Sequence, residues 1–164
     1  MRIAGFSIEF LAADPRHVSQ LAGWHHAEWA RLYHGWTLEV AAAELEDHAR
    51  RRTIPTTLCL LDGERLLGSV SVVLEDAPEL QGEGDVWLAS LYVLPEARGR
   101  GHGAELVRAA VALAAGQGVA RLNLFTAEHA GFYEGLGWSR RAQTMLRGTR
   151  VTLMDCVLPV AHAA

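Results

Sequence analysis

The sequence predicts a single α/β domain built on a mixed, largely antiparallel sheet of about seven strands flanked by about four helices. Three observations carry that prediction. A strand, a glycine-rich turn and a helix follow one another over residues 86–114: the apolar run Val86 to Leu94 leads through RGRGHG at 98–103 into Val107, Ala110, Val111 and Ala114, spaced at i, i+3, i+4 and i+7. Two strand-like runs flank Asp62-Gly63 as a hairpin, and a second hairpin is centred on Gly148 near the end of the chain. Strand-strand and helix-strand units are thus mixed along the chain, which suits a mixed sheet better than an all-parallel one.

Residues 2–11 read as the first strand, with Ile3, Phe6, Ile8 and Phe10 as its apolar members. Asp14-Pro15 supplies an N-cap and a first-turn proline for a helix predicted over 15–34. Its stripe is Val18, Leu21, Ala22, His25, Trp29, Leu32 and Tyr33, so His25 is expected to point inward or along a cleft. A second helix, about 37–51, begins at the N-cap Thr37. It ends in Arg50, Arg51 and Arg52, which complement the negative end of the helix dipole and read as a solvated face rather than a nucleic-acid patch.

From Thr56 the period changes to that of strands over 57–61 and 65–74, and Gly68 inside the second run marks a bulge or a close backbone approach. The connection 75–85, EDAPELQGEGD, holds five carboxylates and no basic residue; as a rim beside a site it would draw in a cation, and otherwise it is a solvated loop. After the central helix, Gly116 and Gly118 mark a stop, 121–126 a strand, and 130–136 a short helix ended by Gly137. The runs 140–147 and 149–158 form the terminal hairpin. With no repeat, low-complexity tract or long linker, residues 1–164 read as one domain.

Composition narrows the function classes. Half of the 164 residues are hydrophobic, enough for a real core, and a formal charge of −4 argues against a general nucleic-acid binder. Cys59 and Cys156 are too few for a disulfide framework and are expected to be buried and reduced. No apolar run approaches the roughly 20 residues that span a bilayer, and MRIAGFS lacks a secretion pattern, so a cytoplasmic location is expected without a membrane partner. His25, His26, Glu28 and His34 crowd one helix but show no metal-ligand spacing such as HExxH; no metal is expected.

The chemistry points to the glycine turn. The first backbone N–H groups of a helix lack partners and sit at the positive end of its dipole, so an anion belongs there. Gly99, Gly101 and Gly103 let the backbone approach a ligand, and Arg98 and Arg100 add charge, so the N–H groups of residues 99–104, through His102 and Ala104, form a predicted phosphate nest. A Walker loop is excluded because Ala104 and Glu105 follow the last glycine in place of Lys and Ser or Thr. A dinucleotide fingerprint fits the letters Gly99, Gly101 and Ala104, but only about 60 residues follow, too few for its doubly wound sheet.

The spelling Arg98-x-x-Gly101-x-Gly103, preceded by Leu91-Tyr92-Val93 and Pro95-Glu96, resembles the acetyl-coenzyme A motif of the GCN5-related N-acetyltransferases. Phe132-Tyr133-Glu134-Gly135-Leu136-Gly137-Trp138 resembles that family's late helix, and the likeness is strong over residues 85–138. The resemblance implies acetyl-CoA as cosubstrate and no metal, with direct transfer of the acetyl group to a primary amine in a ternary complex. It implies that the strand holding Leu91, Tyr92 and Val93 splays from the one holding Leu122, Asn123 and Leu124, with the cofactor arm between them. It also implies that Tyr133 stands near the cofactor sulfur. A phenol of ordinary pKa about 10 stays protonated at neutral pH, and Tyr133 is expected to give its proton downhill to the departing thiolate.

Trp87 occupies the place where the histone-acetylating branch of the family has a glutamate base. Asp85, two residues earlier, and Glu28, His25, His26 and His129 are the replacement candidates. Thr126, His129, Phe132 and Tyr133, with Glu28-Trp29, are faintly similar to the actin N-terminal acetyltransferase. Without a base in the usual position, an acceptor of low pKa is expected. Deprotonation at pH 7 costs roughly 4.6 kcal/mol for a lysine but about 1.1 for an α-amine. The expected partner is a small amine or peptide N-terminus, with a homodimer left open. The alternative is a non-catalytic acyl-CoA sensor of the same fold.

Overall fold

The apolar runs of the sequence become the strands of one sheet. The computed structural model describes residues 2, 3 and 5–159. The strands are β1 (Arg2–Ile3), β2 (Phe6–Phe10), β3 (Thr56–Asp62), β4 (Arg65–Val73), β5 (Trp87–Val93), β6 (Arg121–Thr126), β7 (Ser139–Leu146) and β8 (Thr149–Val157). Among the described residues their order is β1-β2-β3-β4-β5-β6-β8-β7, and every neighbouring pair is antiparallel except β5 and β6. The expected seven strands are present. The first expected strand is divided by a turn at Gly5, which adds the two-residue β1; Ala4 lies outside the described residues.

The helices are α1 (Val18–Trp29), α2 (Leu38–His48), α3 (His102–Gly116) and α4 (Ala130–Glu134). The expected caps form: Asp14 accepts from the Arg16 N–H, and Thr37 Oγ1 from the Val40 N–H at 3.1 Å. The first helix is shorter than its apolar stripe predicted. Pro15–His17 and Ala30–Leu32 are 3₁₀ turns, and the second of these frees the Leu32 carbonyl to accept from Arg147 Nη1 at 2.9 Å. At the end of α2, Arg51 pairs with Asp47 one turn back and Arg52 lies over the Phe10 ring, in keeping with a local role for the basic run.

Strand alternation sends apolar side chains to both faces of the sheet. Leu58, Leu60, Val70 and Val72 meet Leu106, Val107, Ala110 and Ala114 of α3 on one side. On the other, Cys59 and Leu66 meet Leu21, Ala22, Ala41 and Leu45 of α1 and α2. That second interface also carries polar bonds: His25 to Ser69 Oγ at 2.8 Å, His48 Nδ1 to Thr57 Oγ1 at 2.9 Å, and Thr57 to Ser71 Oγ at 2.7 Å. A third cluster, Ala77, Leu80, Trp87, Leu146, Val151 and Leu153, lies between the 75–85 connection and the terminal hairpin. Cys59 is buried as expected, Cys156 is half-buried, and both are free thiols.

Candidate active site

Among the described residues the only parallel neighbours in the sheet, β5 and β6, touch at one register point, Trp87 opposite Asn123, and part beyond it. β6 is paired along its whole length with β8, and β4 holds β5 on the other edge, so the gap between β5 and β6 stays open toward the C-terminal end of β5. Two features of β4 and β5 shape this edge. Between the pairs Ser69–Tyr92 and Ser71–Ala89, β5 carries one extra residue, a bulge in which Ser90 has φ 54°. At Gly68 a Cβ would stand 2.5 Å from the Tyr92 carbonyl oxygen, so the close approach read from the sequence is present, and β3 also shifts register opposite it.

Backbone direction along β5 follows from one bond. The Leu94 N–H donates to the Leu67 carbonyl of β4 at 2.8 Å, so by strand alternation the N–H of Val93 faces away from β4 into the gap, while Leu91, next to Ser90 in the bulge, lines the cleft. Beyond the strand the chain passes Pro95–Ala97 and turns at Gly99 (φ 76°) and Gly101 (φ 82°) into α3. Left-handed backbone at these two points is the conformation glycine adopts without a Cβ penalty, and a Cβ at either would meet no atom within 4 Å, so this surface is open. The first N–H to find a carbonyl within α3 is that of Glu105, 3.1 Å from Gly101 O; those of residues 102–104 precede it and point out of the helix end.

A cleft of about 930 Å³ runs along the gap. Leu88 to Leu91 of β5, Leu124 to Thr126 of β6, Glu28 and Trp29 of α1, His129, Tyr133, Asp76 and Arg147 line it. A side pocket of about 300 Å³ shares Trp36, Glu44, Asp76 and Ser90 with the cleft and reaches down to His25, His48 and Ser71. Burial pushes Tyr133 up to about 12, with the negative charge of Asp76 adding to the effect. Burial likewise raises Tyr33 well above the usual phenol range, and Asp76 adds again. Asp76 is itself pushed up to about 7 by burial and by Glu44, against the pull of Arg147. His25 is lowered to about 4 by burial and by His48, and so stands neutral beneath the site.

The amino-acid sequence matches the Acetyltransferase (GNAT) family over residues 21–138, nearly three quarters of the chain. The chain belongs to that family. No curated protein matches it in sequence. Among solved structures, this GNAT domain is similar to yncA from Salmonella typhimurium, solved with its cofactor acetyl-CoA, at 19% identity and TM-score 0.71, over 98% of this chain and 97% of that one. It is similar to a GNAT-family acetyltransferase from Streptococcus pneumoniae at 16% identity and TM-score 0.67, over 94% and 99%. It also resembles N-acetylglutamate synthase from Neisseria gonorrhoeae, solved with coenzyme A and N-acetyl-glutamate, at 18% identity and TM-score 0.66, over 96% of this chain and 36% of that one.

The structure sorts the site residues that the sequence suggested for this GNAT domain. Leu91, Tyr133, Glu28 and His129 line the cleft, and Val93 presents its N–H to the gap. Gly99, Arg100, Gly101, Gly103 and Ala104 stand at the turn and the start of α3. His102 is buried edge-on to Phe6, 4.6 Å between centroids, so what it offers the nest is its N–H and not its ring. Arg98 donates through Nε to the Val93 carbonyl at 2.7 Å and lies over the Tyr92 ring; it braces the turn as well as charging it.

Four expectations are corrected. Tyr92 packs its ring on Trp24 (5.5 Å) and Trp29 of α1, and its N–H faces β4, so neither faces the cofactor gap. Asn123 is buried at the closed end of the gap, where Nδ2 donates to the Val86 carbonyl at 3.1 Å and holds β5 to β6. Asp85 is exposed in the loop before β5, at the far end of that strand from the turn, and lines neither cavity. Trp87 is buried and donates to the Gly84 carbonyl, so the position of the missing glutamate belongs to the core. The downhill proton transfer fails on its own numbers. A phenol at about 12, or even at its ordinary value, holds its proton more tightly than a thiol of pKa about 8.5.

Two groups escaped the sequence reading, Asp76 and Arg147. Asp76 is one of five carboxylates in a connection whose sequence suits either a cation-drawing rim or a solvated loop, and nothing in it singles out this one. Glu79 is in fact bound by Arg147 and Glu83 by Arg141, both from the terminal hairpin, and only the fold separates Asp76 from them.

Proposed function

We propose that this chain moves the acetyl group of acetyl-CoA to a primary amine by direct attack in a ternary complex. The observation that carries this reading is the gap between β5 and β6, lined by Leu91 and Tyr133, with the open surface of the Gly99–Gly101 turn following the C-terminal end of β5. The residues fit the cosubstrate. Three outward N–H groups at the helix end suit a pyrophosphate, and a cleft between two strands suits an extended pantetheine arm. The bound thioester would supply an activated acetyl carbon. The Leu91 N–H, beside the Ser90 bulge, and the Val93 N–H orient and polarise the carbonyl from a fixed strand. Tyr133 serves as a hydrogen-bond donor to the leaving sulfur, which it can do without surrendering its proton.

The acceptor reaches this point from the α1–α2 side, past Glu28, Trp29 and Trp36. A low-pKa amine such as a peptide or amino-acid α-amino group remains the favoured acceptor, and the N-acetyl-glutamate held by the gonococcal neighbour is in line with it. The test is a panel of amines and free N-termini with acetyl-CoA, following thiol release and confirming the acetylated product by mass. Gly101→Val, which puts a β-branched residue at φ 82°, is expected to abolish acetyl-CoA binding by calorimetry in a protein that still melts cooperatively. Unchanged affinity in that variant would remove the turn from the reading. Tight binding without transfer to any amine would favour the sensor alternative.

A further inference from the structure

Asp76 lines both the cleft and the side pocket, at the place where an acceptor coming past α1 and α2 meets the gap between β5 and β6. Ser90, in the β5 bulge, lines both cavities as well, so this junction lies beside Leu91 and not at the outer rim. Among the described residues Asp76 has no hydrogen-bond or ion-pair partner. Arg147, the cation whose charge it feels, is committed to Glu79 and to the Leu32 carbonyl. Asp76 and Tyr133 both line the cleft, and the carboxylate's charge adds to the burial that raises the phenol. Unpaired carboxylates in such surroundings are costly, and they persist where a cation or a proton is to be received.

We propose that Asp76 is the carboxylate that receives the acceptor's ammonium group and takes its proton. This rests on the acetyl-transfer reading above. The ammonium gives one proton to the Asp76 carboxylate, and the freed lone pair forms the C–N bond with the acetyl carbon. The C–S bond breaks with its electron pair going to sulfur. A second nitrogen proton ends on that sulfur as the thiol, and the proton on Asp76 passes to solvent. Glu28, the other carboxylate suggested for this role, is an exposed residue of α1 at the cleft wall.

The titratable groups that line the same cavities as Asp76 include Glu75 beside it, Glu44 and His48 from α2, His25 from α1, Tyr33 from the turn after it, Tyr133 from α4 and Arg147 from the β7–β8 turn. Burial lowers both histidines, so neither supplies a competing cation at neutral pH, and Glu44 adds negative charge that favours an incoming ammonium. A carboxyl at about 7 lies within about one unit of an α-amine but more than three below a lysine, which matches the base to the acceptor class already favoured.

Asp76→Asn keeps the shape and removes the charge. With acetyl-CoA and a short peptide bearing a free N-terminus, kcat/KM of the wild type is expected to reach a maximum between about pH 7 and 8 and to fall as the acceptor ammonium titrates. The variant should fall about 100-fold at pH 7 and climb with unit slope until the peptide amine itself titrates near 8. Acetyl-CoA affinity should be unchanged by calorimetry. Independently of turnover, ¹³C carboxyl spectra of the unliganded protein should contain a resonance titrating near 7 that is missing from Asp76→Asn. A folded variant within twofold of wild type with the same pH profile, or no such resonance, overturns the proposal. If the wild type acetylates no amine at all, the acetyl-transfer reading fails and this inference falls with it; transfer by the wild type with an unaffected variant sinks the inference alone.

Discussion

Burial decides what Tyr133 can do. Its ring packs edge-on to Phe132 and Trp138, and removing the hydroxyl from water raises its pKa to about 12. A group so reluctant to ionise is a steady hydrogen-bond donor, and over the working range of an enzyme its own titration is silent. Tyr133→Phe is therefore expected to lower kcat about 10- to 100-fold, below most general acid catalysis because the hydroxyl donates a hydrogen bond and keeps its proton, with little change in acetyl-CoA affinity. Kinetics across pH 8 to 10 check the same point, because wild-type activity should show no fall traceable to this phenol. A turnover near wild type, measured where chemistry limits the rate, would make Tyr133 a packing residue. Asp76 is the opposite case, a residue whose type says little and whose surroundings say much.

The elements that make the site do so by irregularity. β5 is gripped by β4 on one edge, its parting from β6 leaves the Val93 N–H facing the gap, and its bulge at Ser90 sets Leu91 on the cleft wall. Gly68 allows the grip, since its missing Cβ leaves room for the Tyr92 carbonyl and lets Leu106 of α3 pack close by. Gly68→Ala should push β4 and β5 apart and destabilise the fold by about 1–3 kcal/mol, the usual scale of overpacking. Urea unfolding measures that loss, and calorimetry should show weaker acetyl-CoA binding as the bulge moves. A stability unchanged within about 0.5 kcal/mol would mean that the strands have slack at this point. The shortening of α1 belongs to the same scale: its stripe continues to Tyr33, but the last turn opens and gives the Leu32 carbonyl to Arg147.

Across the whole molecule the acceptor side of the cleft is assembled from segments far apart in the chain, and Arg147 ties them together. It stacks over Tyr33 at 4.5 Å, binds both Glu79 carboxylate oxygens and reaches Leu32, joining the terminal hairpin to the 75–85 connection and to the end of α1. Arg147→Ala should loosen this wall and raise the acceptor KM roughly tenfold, about 1.4 kcal/mol of binding, while acetyl-CoA affinity stays near wild type. Equal losses for both substrates would point to general unfolding instead. The sequence by itself determined the strand and helix order, both hairpins, the helix caps, the glycine turn and the family, because each is written in local spacing: period 2 against 3.6, a capping threonine, glycines where the backbone turns left-handed. Which side chains face the cleft was decided by the tertiary structure. Tyr92 and Asn123 sit on strands of the right character but turn toward α1 and toward Val86, and Asp85 and Asp76, nine residues apart in one acidic connection, end in solvent and in the cleft. A bulge, a single register point and a clamp from residue 147 set those directions, and none of the three leaves a periodic trace, because each depends on partners distant in the chain.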